Sequence, residues 1–136
     1  MILFHSETNF QLNQKSAVKI WVKETIAKEG KISKDINFIF CDDRFLHEKN
    51  KSSLGHDSYT DIITFDYSEK DLISGDIFIS IDRVKENSSL FNTSFENECS
   101  RVIIHGILHL LGYKDKSEKE KKIIRAKEDF YLSLQT

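Results

Sequence analysis

The stretch Val102-Ile103-Ile104-His105-Gly106-Ile107-Leu108-His109-Leu110-Leu111 constrains the chain more than any other. A helix drawn through it is apolar nearly all round, so it has to be buried rather than laid on a surface. Its two histidines stand four apart. Four residues rise about 6 Å and almost close one turn, so both imidazoles leave the helix on one face. In apolar surroundings each needs a partner to offset its desolvation. Two nitrogens presented this way can hold one metal ion, although the same spacing also arises often with nothing bound. Gly106 lies between them, and glycine costs a helix about 1 kcal/mol relative to alanine, which points to a close approach at that position. Gly112 suits the left-handed residue that ends a helix. The turn it makes would swing Asp115 back towards the imidazoles as a third ligand.

The remaining segments read as a frame for this helix. Ile2 to His5 is a short strand, and 14–29 is a helix with Val18, Trp21, Val22 and Ile26 on one face, stopped by Gly30. Trp21 reads as core rather than as a stacking platform. Residues 35–41 alternate as a strand. Asp42-Asp43 can cap a short helix through Lys49, with Phe45 and Leu46 packing inward and His47 at the surface. Residues 51–58 read as a loop that leads into a strand over 61–67. Residues 68–74 connect to a strand over 75–81, apolar enough for the middle of a sheet. Asp82 looks like the cap of a helix through about Leu90. Thr93 and Glu96 match a capping box that opens the central helix over 94–111, and Ser117 and Glu120 a second, opening a helix to about Ser133. The apolar stripe of that last helix reads as Ile123, Ile124, Ala126, Phe130 and Leu134. The order β-α-β-α-β-β-α-α-α predicts an α+β fold: a small mixed four-stranded sheet with about five helices, the central one carrying the histidines.

A chain of 136 residues fits one domain, 1–136, and buries roughly two-thirds of its unfolded surface without disulfide support. Cys41 and Cys99 are expected to be reduced core residues. No apolar run is long enough to span a membrane and the N-terminus has no signal-peptide pattern, so a cytoplasmic protein is expected. The net charge of −2 is not the footprint of a nucleic-acid binder. A local basic path would suffice for an enzyme that cuts one bond. Its candidates are Lys114, Lys116, Lys119, Lys121, Lys122 and Arg125, against the plainer reading of a solvated helix face, since acidic residues are interleaved with them.

His105-Gly-x-Leu-His109-Leu-x-Gly-Tyr113 resembles the signature of the YbeY family of single-strand-specific bacterial endoribonucleases. Thr60-Asp-Ile-Ile-Thr-Phe65 is similar to that family's Thr-Asp-Val-Leu-Ser-Phe segment, and 75–80 to its Gly-Asp-Ile strand. The resemblance covers most of the chain. It implies one zinc ion, hydrolysis of RNA phosphodiesters, processing of the 3′ end of small-subunit ribosomal RNA, and work beside the small ribosomal subunit and its proteins. Two positions depart from the pattern. The family follows Gly-Tyr with Asp-His, that histidine being the third ligand; here the pair is Lys114-Asp115, which puts Asp115 in the ligand slot. A carboxylate is a competent zinc ligand. The family's arginine upstream of Thr-Asp is Leu54 here, with His56 and Lys51 the nearby cations.

Three protein ligands leave a fourth position open for water, the arrangement of catalytic zinc. Candidates for a general base are His56, Asp57 and Asp66, each of which reads equally as a solvated or capping residue. Two other readings compete. A zinc hydrolase of the protease type needs a glutamate after the first histidine, and Gly106 stands there. A non-catalytic ribosome-associated protein with a structural metal would close its site with a fourth ligand, for which Cys99, His5 and His56 are the candidates.

Overall fold

A computed structural model of the chain describes residues 1–55 and 60–135, except for the side chain of Leu54. The elements are β1 (Ile2–Ser6), α1 (Lys15–Lys28), β2 (Ile32–Cys41), α2 (Asp43–Leu54), β3 (Ile62–Asp66), β4 (Leu72–Ser80), α3 (Ile81–Leu90), α4 (Phe95–Leu110) and α5 (Glu118–Ser133). The four strands form one mixed sheet in the order β1-β2-β4-β3. β1, β2 and β4 run parallel and β3 pairs antiparallel to β4. α1 makes the crossover that parallel β1 and β2 require. The expected α+β architecture is the one observed.

One sheet face carries the core. Ile36, Phe38 and Phe40 from β2 and Ile77 and Ile79 from β4 are buried there, against Val22 and Ile26 of α1 and Ile103, Ile104, Ile107 and Leu108 of α4. Trp21 belongs to this core, and its indole N–H donates to the Tyr131 carbonyl at 2.8 Å, tying α1 to α5. Gly106 meets the sheet directly: a Cβ there would lie 2.9 Å from Ile77 Cγ2 and 3.0 Å from Ile62 Cδ1. The glycine thus lets α4 approach β3 and β4 closely, and α4 is the buried centre that its composition demanded. α2 covers part of the other face, where Cys41, Leu46 and Ile63 form a second small cluster. Both cysteines are free and buried. Among the described residues, no helix is long and apolar enough to cross a membrane.

Several local expectations shift. α2 continues to Leu54 and takes in 51–54, which read as loop; Asp42 caps it by accepting from the Phe45 N–H. Phe45 does not pack inward; it is 39% exposed and stacks on Phe78. His47 is half-buried rather than at the surface. Ser80, not Asp82, caps α3, and Ser94, not Thr93, caps α4, because each hydroxyl accepts the N–H three residues on. β4 begins at Leu72 rather than Gly75. In α5 the buried positions are Ile124, Glu128 and Tyr131, while Ile123, Phe130 and Leu134 are exposed. The buried set keeps the i, i+4, i+7 spacing of one helix face, but a glutamate occupies its middle.

Candidate metal centre

The end of α4 is built to hold His109. Gly112, at φ 104°, takes the left-handed position. Its N–H donates to the His109 carbonyl, and the Tyr113 N–H to the Leu108 carbonyl, both at 3.0 Å, the paired bonds of a Schellman turn. The Tyr113 hydroxyl donates to Glu29 Oε1 at 2.6 Å. Lys127 and the Tyr131 hydroxyl hold the other oxygen of the same carboxylate. Burial opposes the charge on Glu29, but these three donors outweigh it and lower its pKa. Fixed in this way, the Tyr113 carbonyl accepts the Nδ1–H of His109 at 3.0 Å.

α5 holds His105. Ser117 and Glu120 form the expected capping box. Ten residues beyond Glu118, Glu128 lies buried against α4. Its Oε2 accepts the Nδ1–H of His105 at 2.6 Å and its Oε1 accepts from Arg101 Nη1 at 2.9 Å. Arg101 also donates to Asp129 at 2.8 Å.

These contacts decide the tautomers. A carbonyl and a carboxylate only accept, so the ring proton of each neutral histidine sits on Nδ1. Both Nε2 atoms are then bare acceptors. They lie 2.9 Å apart, and each is 3.3 Å from Asp115 Oδ2. With both rings neutral, three acceptors converge with no proton between them, an arrangement that either a metal ion or a proton on His105 satisfies. Edges of a tetrahedron with metal–ligand bonds of about 2.0–2.2 Å are about 3.3–3.6 Å. Two edges of the triangle meet that range, and the histidine–histidine edge is a few tenths of an ångström shorter. The group His105, His109 and Asp115 could therefore hold a metal ion. Each imidazole is backed by an acceptor on its far nitrogen, the support that orients metal-binding histidines.

Electrostatics divide the two rings. Burial disfavours a charge on His105, but the hydrogen bond and charge of Glu128, with Asp115 and Asp61, outweigh it and raise its pKa. Burial and the neighbouring His105 lower that of His109. Burial opposes the charge of Glu128 too, and His105 and Arg101 overcome it, so its pKa is lowered. A proton on the pair therefore belongs to His105, and a metal has to displace it. Zinc affinity is expected to fall on acidification, starting above pH 6.5, the ordinary histidine value, and approaching about tenfold per pH unit once one proton competes. Titration of the protein with zinc between pH 5.5 and 8 checks this, and an affinity flat across that range would exclude His105 as a ligand.

The structure brings together all three residues expected to bind metal. Cys99 is not in that group; it lies six residues before His105 and lines a separate cleft with Phe10 and Phe95. His5 is on β1, where its Nε2 meets Asn37 at 3.2 Å. Among the described residues, His105, His109 and Asp115 form the one group that could hold a metal ion. Asp66 ends β3, exposed, and accepts the Ser68 N–H at 2.9 Å. His56 and Asp57 lie outside the described residues. The protease reading is weaker still, because position 106 faces Ile62 and Ile77 and has no room for a glutamate.

The sequence reading gives Glu128 only as one of the acidic residues on a solvated helix face, and assigns Arg101 and Asp61 no role at the site. Asp61 was visible only as part of a motif; burial raises its pKa against the pull of His105. The signal for Glu128 was a charged residue in the middle of the Ile124–Tyr131 face.

The family model described as endoribonuclease YbeY matches residues 3–135. A protein of Cytophaga hutchinsonii named endoribonuclease YbeY is 52% identical over 136 residues, covering 98% of this chain and 94% of its own. One of the same name from Christiangramia forsetii is 48% identical over 133 residues, covering 98% and 93%. The solution structure of TM1509 from Thermotoga maritima superposes with a TM-score of 0.69 at 32% identity, covering 98% of this chain and 87% of that one.

Proposed function

The chain belongs to the endoribonuclease YbeY family, and from that premise we propose that it is a zinc-dependent, single-strand-specific endoribonuclease of ribosomal RNA maturation. The observation that carries the chemistry is the convergence of His105 Nε2, His109 Nε2 and Asp115 Oδ2. Two imidazoles and one carboxylate suit zinc as a borderline ion. A divalent ion in this position would polarise a phosphoryl oxygen and lower the pKa of water.

The chain's own residues do the positioning. Glu128 and the Tyr113 carbonyl hold each ring in the tautomer that presents Nε2. Asp115 would place a carboxylate where the family pattern has a neutral imidazole, so a bound ion would sit in a site one unit more negative and would lower the pKa of its water less. The substrate we assign is single-stranded RNA at the 3′ end of the small-subunit ribosomal RNA, reached in the cytoplasm beside the small subunit and its proteins.

Purified protein loaded with zinc is expected to cut single-stranded RNA and spare the duplex, and to stop on chelation. Binding should weaken steeply with salt, since each phosphate contact releases counterions. No cleavage of any single strand would overturn the reading. A flat salt profile would point to another substrate.

A further inference from the structure

A cleft of about 230 Å3 opens beside the metal centre, with His105 and Glu128 in its wall. It is smaller than the roughly 300–1,000 Å3 of sites that enclose a drug-sized molecule, so its scale is that of one ring system. Three side chains on its rim have no part in holding the metal. Phe91, the residue that closes α3, is 61% exposed. Asn87 stands one turn earlier on the same side of that helix and also lines the cleft. Arg125 comes in from α5; it is 3.6 Å from Glu128, beyond a hydrogen bond, and its side chain is 60% exposed.

The fold leaves Phe91 and Asn87 without side-chain partners among the described residues and holds Arg125 only through its 3.6 Å ion pair with Glu128. Phe91 makes no ring contact and the Asn87 amide no hydrogen bond among the described residues. Glu128 is already satisfied by His105 and Arg101, so Arg125 keeps donors to offer. The chemistry is that of single-strand recognition: a ring for a base to stack on, an amide that gives and accepts on one edge, and a guanidinium for a phosphate. Arg125 also offsets the carboxylates that face the cleft, Asp61, Glu98 and Glu128.

We propose that this cleft is a nucleobase subsite: the base flanking the scissile phosphate stacks on Phe91, Asn87 reads its edge, and Arg125 takes the neighbouring phosphate. The assignment rests on the ribonuclease reading. It also supplies a reason for single-strand preference, because a base paired in a duplex is not available to the ring without being unstacked.

The test uses single-stranded RNA in which nucleotides around the cut are replaced one at a time by an abasic spacer. With wild-type protein, one position should raise KM about tenfold. Phe91→Ala should raise KM on intact RNA by the same factor with little change in kcat, and should have no further effect on that one abasic substrate. Phe91→Trp should restore the wild-type value. Metal-free protein provides a second readout: 2-aminopurine at the same position should be quenched by wild type and not by Phe91→Ala. Additive effects at every abasic position, or unchanged KM and quenching in Phe91→Ala, would overturn the subsite while leaving the nuclease intact. Quenching without any cleavage would leave the subsite and sink the nuclease. Neither cleavage nor quenching would sink both.

Discussion

Glu128→Ala is expected to destabilise the metal-free protein by about 3–5 kcal/mol, because it leaves the partly buried Arg101 and His105 without the carboxylate that both need. For a chain of this length that lowers Tm by about 10–20 °C. The same change should weaken zinc binding about 10- to 100-fold, since His105 loses the acceptor that fixes its tautomer. Thermal unfolding and zinc titration of the one variant measure both. The pH dependence separates the parts. The pKa of Glu128 is lowered, so its contribution is present above the unfolded value of 4.5 and lost as pH falls through the folded value. That of His105 is raised, so its contribution is complete below 6.5 and lost as pH rises through its folded value. The gap between wild type and variant should therefore be widest between about pH 4.5 and 6.5. An equal Tm for both proteins across that window would mean that the triad of Arg101, Glu128 and His105 holds nothing together.

Gly106→Glu is expected to be as damaging, for a different reason. The position faces Ile77, which is fully buried, and Ile62 at less than van der Waals contact for a Cβ. A glutamate there would push α4 off β3 and β4 and bury a carboxylate with nothing to pair it. Overpacking alone costs about 1–3 kcal/mol, and the unpaired polar group adds a comparable amount. Little folded protein should accumulate, and no peptidase activity should appear. Gly106→Ala calibrates the effect. A gain of about 1 kcal/mol in helix propensity opposes the 2.9 Å contact with Ile77, so a small net loss is expected in denaturant melts. A folded and stable Gly106→Glu protein would show that α4 does not need its close approach to the sheet.

These two residues show what could be read from the chain and what could not. Gly106 was legible because an apolar helix with a glycine in its middle already implies a neighbour pressed against it. The histidine pair was legible because its spacing is local, and Asp115 because Gly112 ends the helix within three residues of it. Glu128 was hidden because its meaning depends on a contact 23 residues away in sequence. Read alone, the sequence of α5 predicts a buried stripe that includes Ile123, Phe130 and Leu134, and a glutamate on the true face reads as solvent-exposed charge. Glu29 was hidden for the same reason: its partners, Tyr113, Lys127 and Tyr131, come from the far end of the chain. The helix caps lie one or two residues from the expected positions because Thr93 and Ser94, or Ser80 and Asp82, all carry a side-chain oxygen able to cap. Only the backbone decides which one meets the free N–H.

The central claim is that His105, His109 and Asp115 hold one ion. The direct measurement is the metal content of purified protein by mass spectrometry, with His109→Ala and Asp115→Ala beside it. About one zinc per chain is expected in the wild type, with none retained by His109→Ala and a reduced share by Asp115→Ala, both variants still folded. No metal in the wild type, or full occupancy in either variant, would contradict the account.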